Sequence, residues 1–105
     1  MNVYVGIGNS DDKLTQTEWS DFVREVEATL SYFRMHGSWF SRPDARWQNA
    51  CWLVEALDPE NNEKLKAHLR NLAKRYRQDS IAWAVAETEF LRPEGAAACC
   101  CQEAT

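Results

Sequence analysis

The segment RWQNACW, at residues 46–52, brings together side chains that could recognise a small ligand. A tryptophan ring offers a flat stacking surface, an arginine can hold a phosphate through paired hydrogen bonds, and a primary amide can both donate and accept. A later tryptophan, in a strand-like segment, would add stacking area. The predicted ligand-binding set is Arg46, Trp47, Gln48, Asn49, Trp52 and Trp83. If the ligand is a nucleotide, we expect a tryptophan to stack on the base and an arginine to hold the phosphate.

Acidic residues that could support metal or acid–base chemistry fall at the ends of predicted elements. Carboxylates in turns could assemble a magnesium site, but aspartate is also common there because it caps the backbone, and we favour capping. The four candidates are Asp11, Asp12, Asp58 and Asp79. Glu87 and Glu89 share a face of the last predicted strand and could act as acid and base, although their place near its end favours simple solvation. The sequence therefore predicts no metal, no cofactor and no identified catalytic residue.

The histidines and the first glycines also match no catalytic or phosphate-binding motif. His36 precedes Gly37, a pattern typical of a helix stop with a cation at the negative end of the helix, and His68 is expected at a solvated rim. Neither histidine accompanies a nucleophile in a recognised triad. The segment VGIGNSDDK lacks both common phosphate-loop patterns, so Gly6 and Gly8 are predicted to permit close helix–strand packing or a tight turn.

Length and composition describe one small acidic domain. The chain has 105 residues, a net charge of −4 and five tryptophans, and its isoelectric point is near 5.1. An acidic balance argues against a protein that grips phosphate backbones, so we do not expect a nucleic-acid partner. No apolar run approaches the roughly 20 residues of a membrane span, and the N-terminus does not read as a signal peptide. We expect a cytoplasmic protein with no membrane partner.

The cysteines agree with a reducing compartment. Cys51 stands alone, whereas Cys99, Cys100 and Cys101 are adjacent near the C-terminus. This spacing fits neither a disulfide framework nor a zinc site. We predict a buried, reduced Cys51 and a thiol-bearing tail over residues 94–105 that is disordered; oxidation, lipidation or adventitious metal binding of the tail are alternatives.

Hydrophobic periodicity predicts six elements in the order β-α-β-β-α-β. Strands are predicted at residues 2–8, 37–41, 46–55 and 79–91, with a turn at 42–45. One helix begins with the capping box of Thr15 and Glu18 and runs to about residue 34; the second begins at Asp58-Pro59. This order is that of a ferredoxin-like α+β sandwich, with both helices on one face of a four-stranded antiparallel sheet. We predict one such domain over residues 1–93, strand order 4-1-3-2, and one central parallel pair.

Both faces of the predicted sheet are apolar. In the third strand Trp47, Asn49, Cys51 and Leu53 alternate with Gln48, Ala50, Trp52 and Val54, and the last strand sets Ile81, Trp83 and Val85 against three alanines. Two helices can cover only one face, and a face in water should be polar. A second copy of the chain, a small-molecule pocket or a protein partner could cover the other. We expect a homodimer or higher oligomer. The mid-strand amides are either ligand-reading groups or satisfied structural amides.

Two classes of function remain. The first is a non-enzymatic binding protein that uses a tryptophan-lined sheet face, or a pocket between subunits, for a small ligand or a partner protein. The second is a small enzyme of the dimeric α+β barrel kind, whose turnover would depend on Asn49, Glu87 or His36. RNA-binding domains of this topology place aromatic residues on the open face, but RWQNACWL does not match their pattern.

Three segments resemble small uncharacterised proteins encoded by phages of actinobacteria. They are YVGIGNSDDKLTQTEW at 4–19, WQNACW at 47–52 and DSIAWAVAETEF at 79–90. The resemblance covers most of the predicted domain, leaves out the cysteine-bearing tail and brings no assigned active site. It implies an accessory protein that blocks host machinery or sequesters a host signal molecule, acting in the host cytoplasm.

Overall fold

Six elements form in the predicted order in the computed structural model, which describes residues 2–9, 11–42, 44–55, 58–87 and 89–93. They are β1 (Asn2–Gly8), α1 (Gln16–Leu30), β2 (Met35–Phe40), β3 (Asn49–Glu55), α2 (Pro59–Arg75) and β4 (Ala82–Ala86). Pro43 of the predicted turn, and the predicted tail over residues 94–105, lie outside the described residues.

Both helices begin where the capping residues predict. The hydroxyl of Thr15 accepts a hydrogen bond from the Glu18 amide, and the Glu18 carboxylate accepts one from the Thr15 amide, so two N–H groups at the start of α1 are satisfied. Asp58 caps α2 by accepting from the amide of Asn61 at 2.9 Å, and Pro59 occupies the first turn, where no N–H is needed.

The end of α1 differs from the prediction. The helix ends at Leu30, with Ser31 as its C-cap, and not near residue 34. The chain then turns within four residues and enters β2, which contains His36 and Gly37. The prediction of a helix stop at these two residues was wrong. Phe33 has the spacing of the apolar stripe of α1, but it packs on the core from the turn that follows the helix.

The sheet has the strand order β2-β3-β1-β4, and all three pairings are antiparallel. The predicted central parallel pair was wrong. Each helix connects two parallel strands, β1 to β2 and β3 to β4, but an antiparallel strand lies between the members of each pair. No two neighbouring strands of this sheet are therefore parallel.

Strand lengths are set by the partners that are available. β4 was predicted to run through residue 91, but its last pair is Ala86 with Asn2, where β1 begins. β3 begins at Asn49 and not at residue 46, because Arg46 and Trp47 lie in bends that follow the turn. The turn is closed by the Asn49 amide, which donates to the Ser41 hydroxyl at 3.0 Å.

The core lies between the two helices and one face of the sheet, as predicted. Its strand residues are Val3, Val5 and Ile7 of β1 and Ala50, Trp52 and Val54 of β3. The helices add Trp19, Phe22, Val26, Leu30, Leu65, Leu69 and Leu72. Trp52 is the largest fully buried side chain, and its indole N–H donates to the Glu27 carboxylate at 3.0 Å.

Tyr76, just after α2, joins the two helices through its ring and its hydroxyl. The ring stacks on Phe22 with centroids 4.8 Å apart, and the hydroxyl donates to the carboxylate of Glu25. This hydrogen bond and the Arg75 guanidinium hold the pKa of Glu25 below its ordinary 4.5. Burial, with the same hydrogen bond, raises the pKa of Tyr76 from 10.0 to about 12.

We expect Tyr76→Phe to lower the free energy of unfolding by about 1 kcal/mol at pH 7, because it keeps the stacking and removes the hydrogen bond. The folded pKa of Glu25 is depressed, so its stabilisation is present above pH 4.5 and is lost as the pH falls through the folded pKa. The folded pKa of Tyr76 is raised, so its stabilisation is present below pH 10.0 and is lost as the pH rises toward about 12.

Urea unfolding at pH 7 and in acid should therefore show that the difference in free energy of unfolding between wild type and Tyr76→Phe is smaller in acid. Tyr32→Phe is the control, since Tyr32 is 89% exposed; an advantage that does not change with pH would contradict the expectation.

Candidate functional site

The predicted tryptophan set does not come together on one surface. Trp52 is fully buried against the helices, so it cannot contact a ligand on the sheet. Trp83 pairs with Val5, a fully buried residue, and directly opposite residues of an antiparallel pair share a face. Trp83 therefore lies on the helix side of the sheet, at the edge of the core.

The polar members of the set serve the turn before β3. Arg46 and Trp47 are exposed, and the guanidinium carbon lies 5.1 Å from the centre of the indole ring. The side chain of Gln48 exchanges hydrogen bonds with that of Gln16, which ties the turn to α1. The side-chain amide of Asn49 donates to the Trp47 carbonyl. These contacts are those of structural amides, although Asn49 also borders the open face described next.

The face of the sheet that the helices leave open carries aromatic side chains next to small residues. Tyr4 stands opposite Leu53 and Ala84, and the next row places Gly6 opposite Cys51 and Ala82. Trp39, opposite Cys51, completes this surface on β2, with its ring centre 6.2 Å from that of Tyr4. We call Tyr4, Gly6, Trp39, Cys51, Leu53, Ala82 and Ala84 the open face.

Trp39 was absent from the predicted set, although a signal for it existed in the sequence. The alternation of β1 separates Val3, Val5 and Ile7 from Tyr4 and the glycines, and this indicates that the Tyr4 side is not the core side. Trp39 is half exposed, and a Cβ atom at Gly37 would come within 3.1 Å of its ring. The glycine therefore allows the indole to lie flat on the backbone of β2.

A groove of about 680 Å³ lies at one end of the open face. Its floor includes Gly6 and Gly8, and Trp39 forms one wall. A Cβ atom at Gly8 would lie 2.8 Å from the side-chain oxygen of Asn49, so glycine is needed for that amide to border the groove. The prediction that these glycines serve helix–strand packing was wrong, since both lie on the side away from the helices.

The groove is lined by two carboxylates that pair with the same lysine, and by the thiol of Cys51. Lys13 bridges Asp11 at 3.5 Å and Asp79 at 3.2 Å, and the Asp79 hydrogen bond and charge raise the pKa of the lysine. Burial raises the pKa of the Cys51 thiol, which lowers its thiolate fraction at neutral pH. Cys51 has a free thiol, and it is partly buried and not fully buried as predicted.

The aspartates act on the backbone and on lysine. Asp58 caps α2, and the side chain of Asp11 accepts from the Lys13 amide at 3.3 Å. Asp58 does not lie at the end of the sheet that holds Asp11 and Asp79, because β3 is antiparallel to β1 and ends beside Asn2. Among the described residues, no group of three or more His, Cys, Asp or Glu side chains could hold a metal ion.

A second groove, of about 650 Å³, runs between α2 and β4 on the helix side. Its floor is apolar and consists of Leu69, Ala73, Ile81 and Trp83. Its rim carries three cations of α2, Lys66, Arg70 and Lys74, and also the loop before β4 with Asp79, whose carboxylate pairs with Lys13. The ammonium of Lys66 lies 5.1 Å from the centre of the Trp83 ring. The predicted residue Trp83 thus borders a groove, but a different one from that beside Asn49.

Of the histidines, His36 lies beside Glu55 at 3.2 Å, at the far end of β3 from the open-face groove, and His68 is exposed on α2. Glu87 and Glu89 are exposed after β4. His36 and Glu87 therefore lie toward the end of the sheet where β1 begins, whereas Asn49 lies at the opposite end, beside Gly8.

None of the described helices is long and apolar enough to cross a bilayer. No protein-family model, no curated protein and no solved structure matches this chain significantly.

Proposed function

We propose that this chain is a non-enzymatic binding protein that works as a homodimer, with the open faces of two sheets packed against each other. The proposal is carried by one observation: the sheet face opposite the helices is apolar at its centre. Tyr4, at 39% exposure, and Trp39, at 52%, lie beside Leu53 and a row of alanines. A sheet face in contact with water is normally polar, and exposed apolar patches of this kind mark contact surfaces.

A second copy suits this face because its centre carries no charge. A two-fold interface brings the same patch of both copies together, and residues at its axis meet their own copies, so a patch of one charge sign would repel itself. The chain as a whole has a net charge of −4, but Tyr4, Leu53 and Ala84 at the centre of the open face are neutral. Two copies of an acidic protein repel each other least through a neutral surface, and this favours association through the open face.

The ferredoxin-like plan predicted from the sequence supports the same arrangement. Read from the β4 edge, the strand order is 4-1-3-2, and both helices pack on one face. In such a plan the second face is free to meet another sheet. Packing two open faces would cover Trp39 and would roof the groove beside it, producing a pocket shared by two subunits.

The chemistry of that shared pocket favours a flat, uncharged ligand. Trp39 offers a stacking wall, and the amide of Asn49 borders the floor. Asp11 and Asp79 stand at the same end, and their neighbour Lys13 is already paired with both, so a phosphate would meet uncompensated negative charge. We therefore favour a planar heterocycle over the nucleotide phosphate that the sequence suggested.

The exposed tryptophans provide a matched test. We expect Trp39→Ser to raise the dimer dissociation constant by at least about tenfold, because a tryptophan buried in an interface often contributes about 2 kcal/mol or more. Trp47→Ser is the control, since Trp47 is similarly exposed, at 43%, but lies in the turn before β3. Sedimentation equilibrium under reducing conditions measures both constants. Equal constants for the two variants would place the interface elsewhere.

A further inference from the structure

The edge of the sheet at β4 is a second unpartnered surface, separate from the open face. Within the described residues β4 pairs only with β1, so one side of its backbone has no strand partner. Its sequence, AWAVA, contains no charge and no proline, and its pairing shows no bulge. Edge strands are usually protected by such features because a bare edge accepts another strand.

The opposite edge of the same sheet shows the contrast. β2 has a register shift between Met35 and Gly37, and His36 at this shift lies 3.2 Å from Glu55. A bulge bends an edge strand and interrupts the ladder that an incoming strand would extend. The β2 edge is therefore protected, and the β4 edge is not.

Beside the β4 edge, α2 presents three cations in a row. Lys66, Arg70 and Lys74 are four residues apart, so consecutive members are about 6 Å apart along the helix axis. Alternate residues of an extended strand are separated by about 6.6 Å. A strand added to β4 would consequently place every second side chain near one of these cations.

Two of these cations, Arg70 and Lys74, are available for a partner. Among the described residues, Arg70 and Lys74 make no ion pair with a carboxylate, whereas Lys66 pairs with Glu63 at 3.4 Å. Neighbouring cations on the rest of α2 are compensated, as Arg75 is by Glu25. An acidic protein that leaves Arg70 and Lys74 without an ion pair among the described residues, beside a bare strand edge, is complementary to an acidic extended chain.

We propose that the β4 edge binds an extended acidic segment of a partner protein, which adds to the sheet as a fifth strand and places alternate carboxylates against Lys66, Arg70 and Lys74. Backbone hydrogen bonds to β4 give affinity, and the basic stripe selects the sequence. A second copy does not suit this edge, because two-fold pairing of β4 with itself would bring two basic stripes side by side. This site does not depend on the open-face dimer.

The test uses the full chain and a seven-residue peptide, capped at both ends, in which glutamate alternates with valine and threonine. Two-dimensional NMR should show saturable shifts in the amides of β4 and in the groove residues. Binding should weaken when the salt concentration rises from about 0.05 M to about 0.5 M, because exposed ion pairs are screened. A peptide with lysine in place of glutamate, and a glutamate peptide N-methylated along its pairing edge, should both fail to bind.

Charge variants locate the site. Arg70→Gln with Lys74→Gln should raise the peptide dissociation constant about tenfold, since each exposed ion pair contributes up to about 1 kcal/mol. The control pair, Arg42→Gln with Lys64→Gln, changes the net charge equally but removes cations already paired with Asp44 and Glu60, and should leave the constant unchanged.

The proposal is overturned by no shifts at about 1 mM glutamate peptide, by equal binding of the N-methylated peptide, or by groove shifts with ADP and none with the peptide. None of these outcomes bears on the mass of the dimer or on the Trp39 variant.

Discussion

Trp52→Ala should lower the free energy of unfolding by about 3–5 kcal/mol, the largest effect of any single change considered. Trp52 is fully buried on the helix face of β3 and is packed edge-on against Phe40, with ring centres 5.9 Å apart. Alanine would leave a cavity between the sheet and α1, because the neighbouring strands can collapse only partly. A domain of this size is stable by about 5–15 kcal/mol, so the variant would lose a large share of its stability.

Trp47→Ala is the control for this experiment, since it makes the same chemical change at an exposed position in the turn. It should cost less than about 0.5 kcal/mol. Urea unfolding followed by circular dichroism, at one protein concentration, measures both variants and separates stability from self-association. A cost below about 1 kcal/mol for Trp52→Ala would mean that this side chain is not in the core, and the assignment of the two sheet faces would fail with it.

The second large effect concerns the dimer. Leu53→Asp should abolish self-association over the concentration range in which the wild-type chain is a dimer, because it places one carboxylate from each copy at the centre of an apolar interface. Leu53 stands between Tyr4 and Gly37 on the open face and is only partly buried in the single chain. An unpaired charge buried in such an interface costs several kcal/mol, whereas in the monomer the carboxylate can reach water.

Leu91→Asp makes the same substitution at an exposed leucine after β4 and gives the same net charge. It should leave the mass unchanged. Circular dichroism and thermal unfolding of the Leu53→Asp monomer establish that the fold persists. A Leu53→Asp chain that is folded and still dimeric would exclude the open face as the interface.

The elements of the fold could be predicted because their signals are local. The capping box at Thr15, the Asp58-Pro59 start of α2 and the period-two alternation of β1 each depend on residues within a few positions of one another. Strand ends were less predictable because they depend on the neighbour. The residues after Ala86 have no partner because β1, which is antiparallel to β4, begins at Asn2. Nothing in the sequence of that segment indicates this limit.

The candidate site was harder to predict because both faces of β3 are apolar. Alternation separates Trp52 from Cys51 and Leu53, but it does not say which set meets the helices; the antiparallel pairing with Val5 and Val3 decides this. For the same reason Trp83 was placed with the wrong neighbours. The groove beside Trp83 forms only where α2 packs next to β4. The spacing of Lys66, Arg70 and Lys74 along the helix does not reveal which strand lies next to them.

The solution mass of the protein shows whether a second copy covers the open face. Light scattering on a size-exclusion column, in reducing buffer so that Cys99, Cys100 and Cys101 cannot link chains, should give twice the chain mass of 12.1 kDa. The chain truncated after residue 93 should give a dimer as well. A monomer mass at every concentration would contradict the account and would leave Tyr4, Trp39 and Leu53 as a surface for a different molecule.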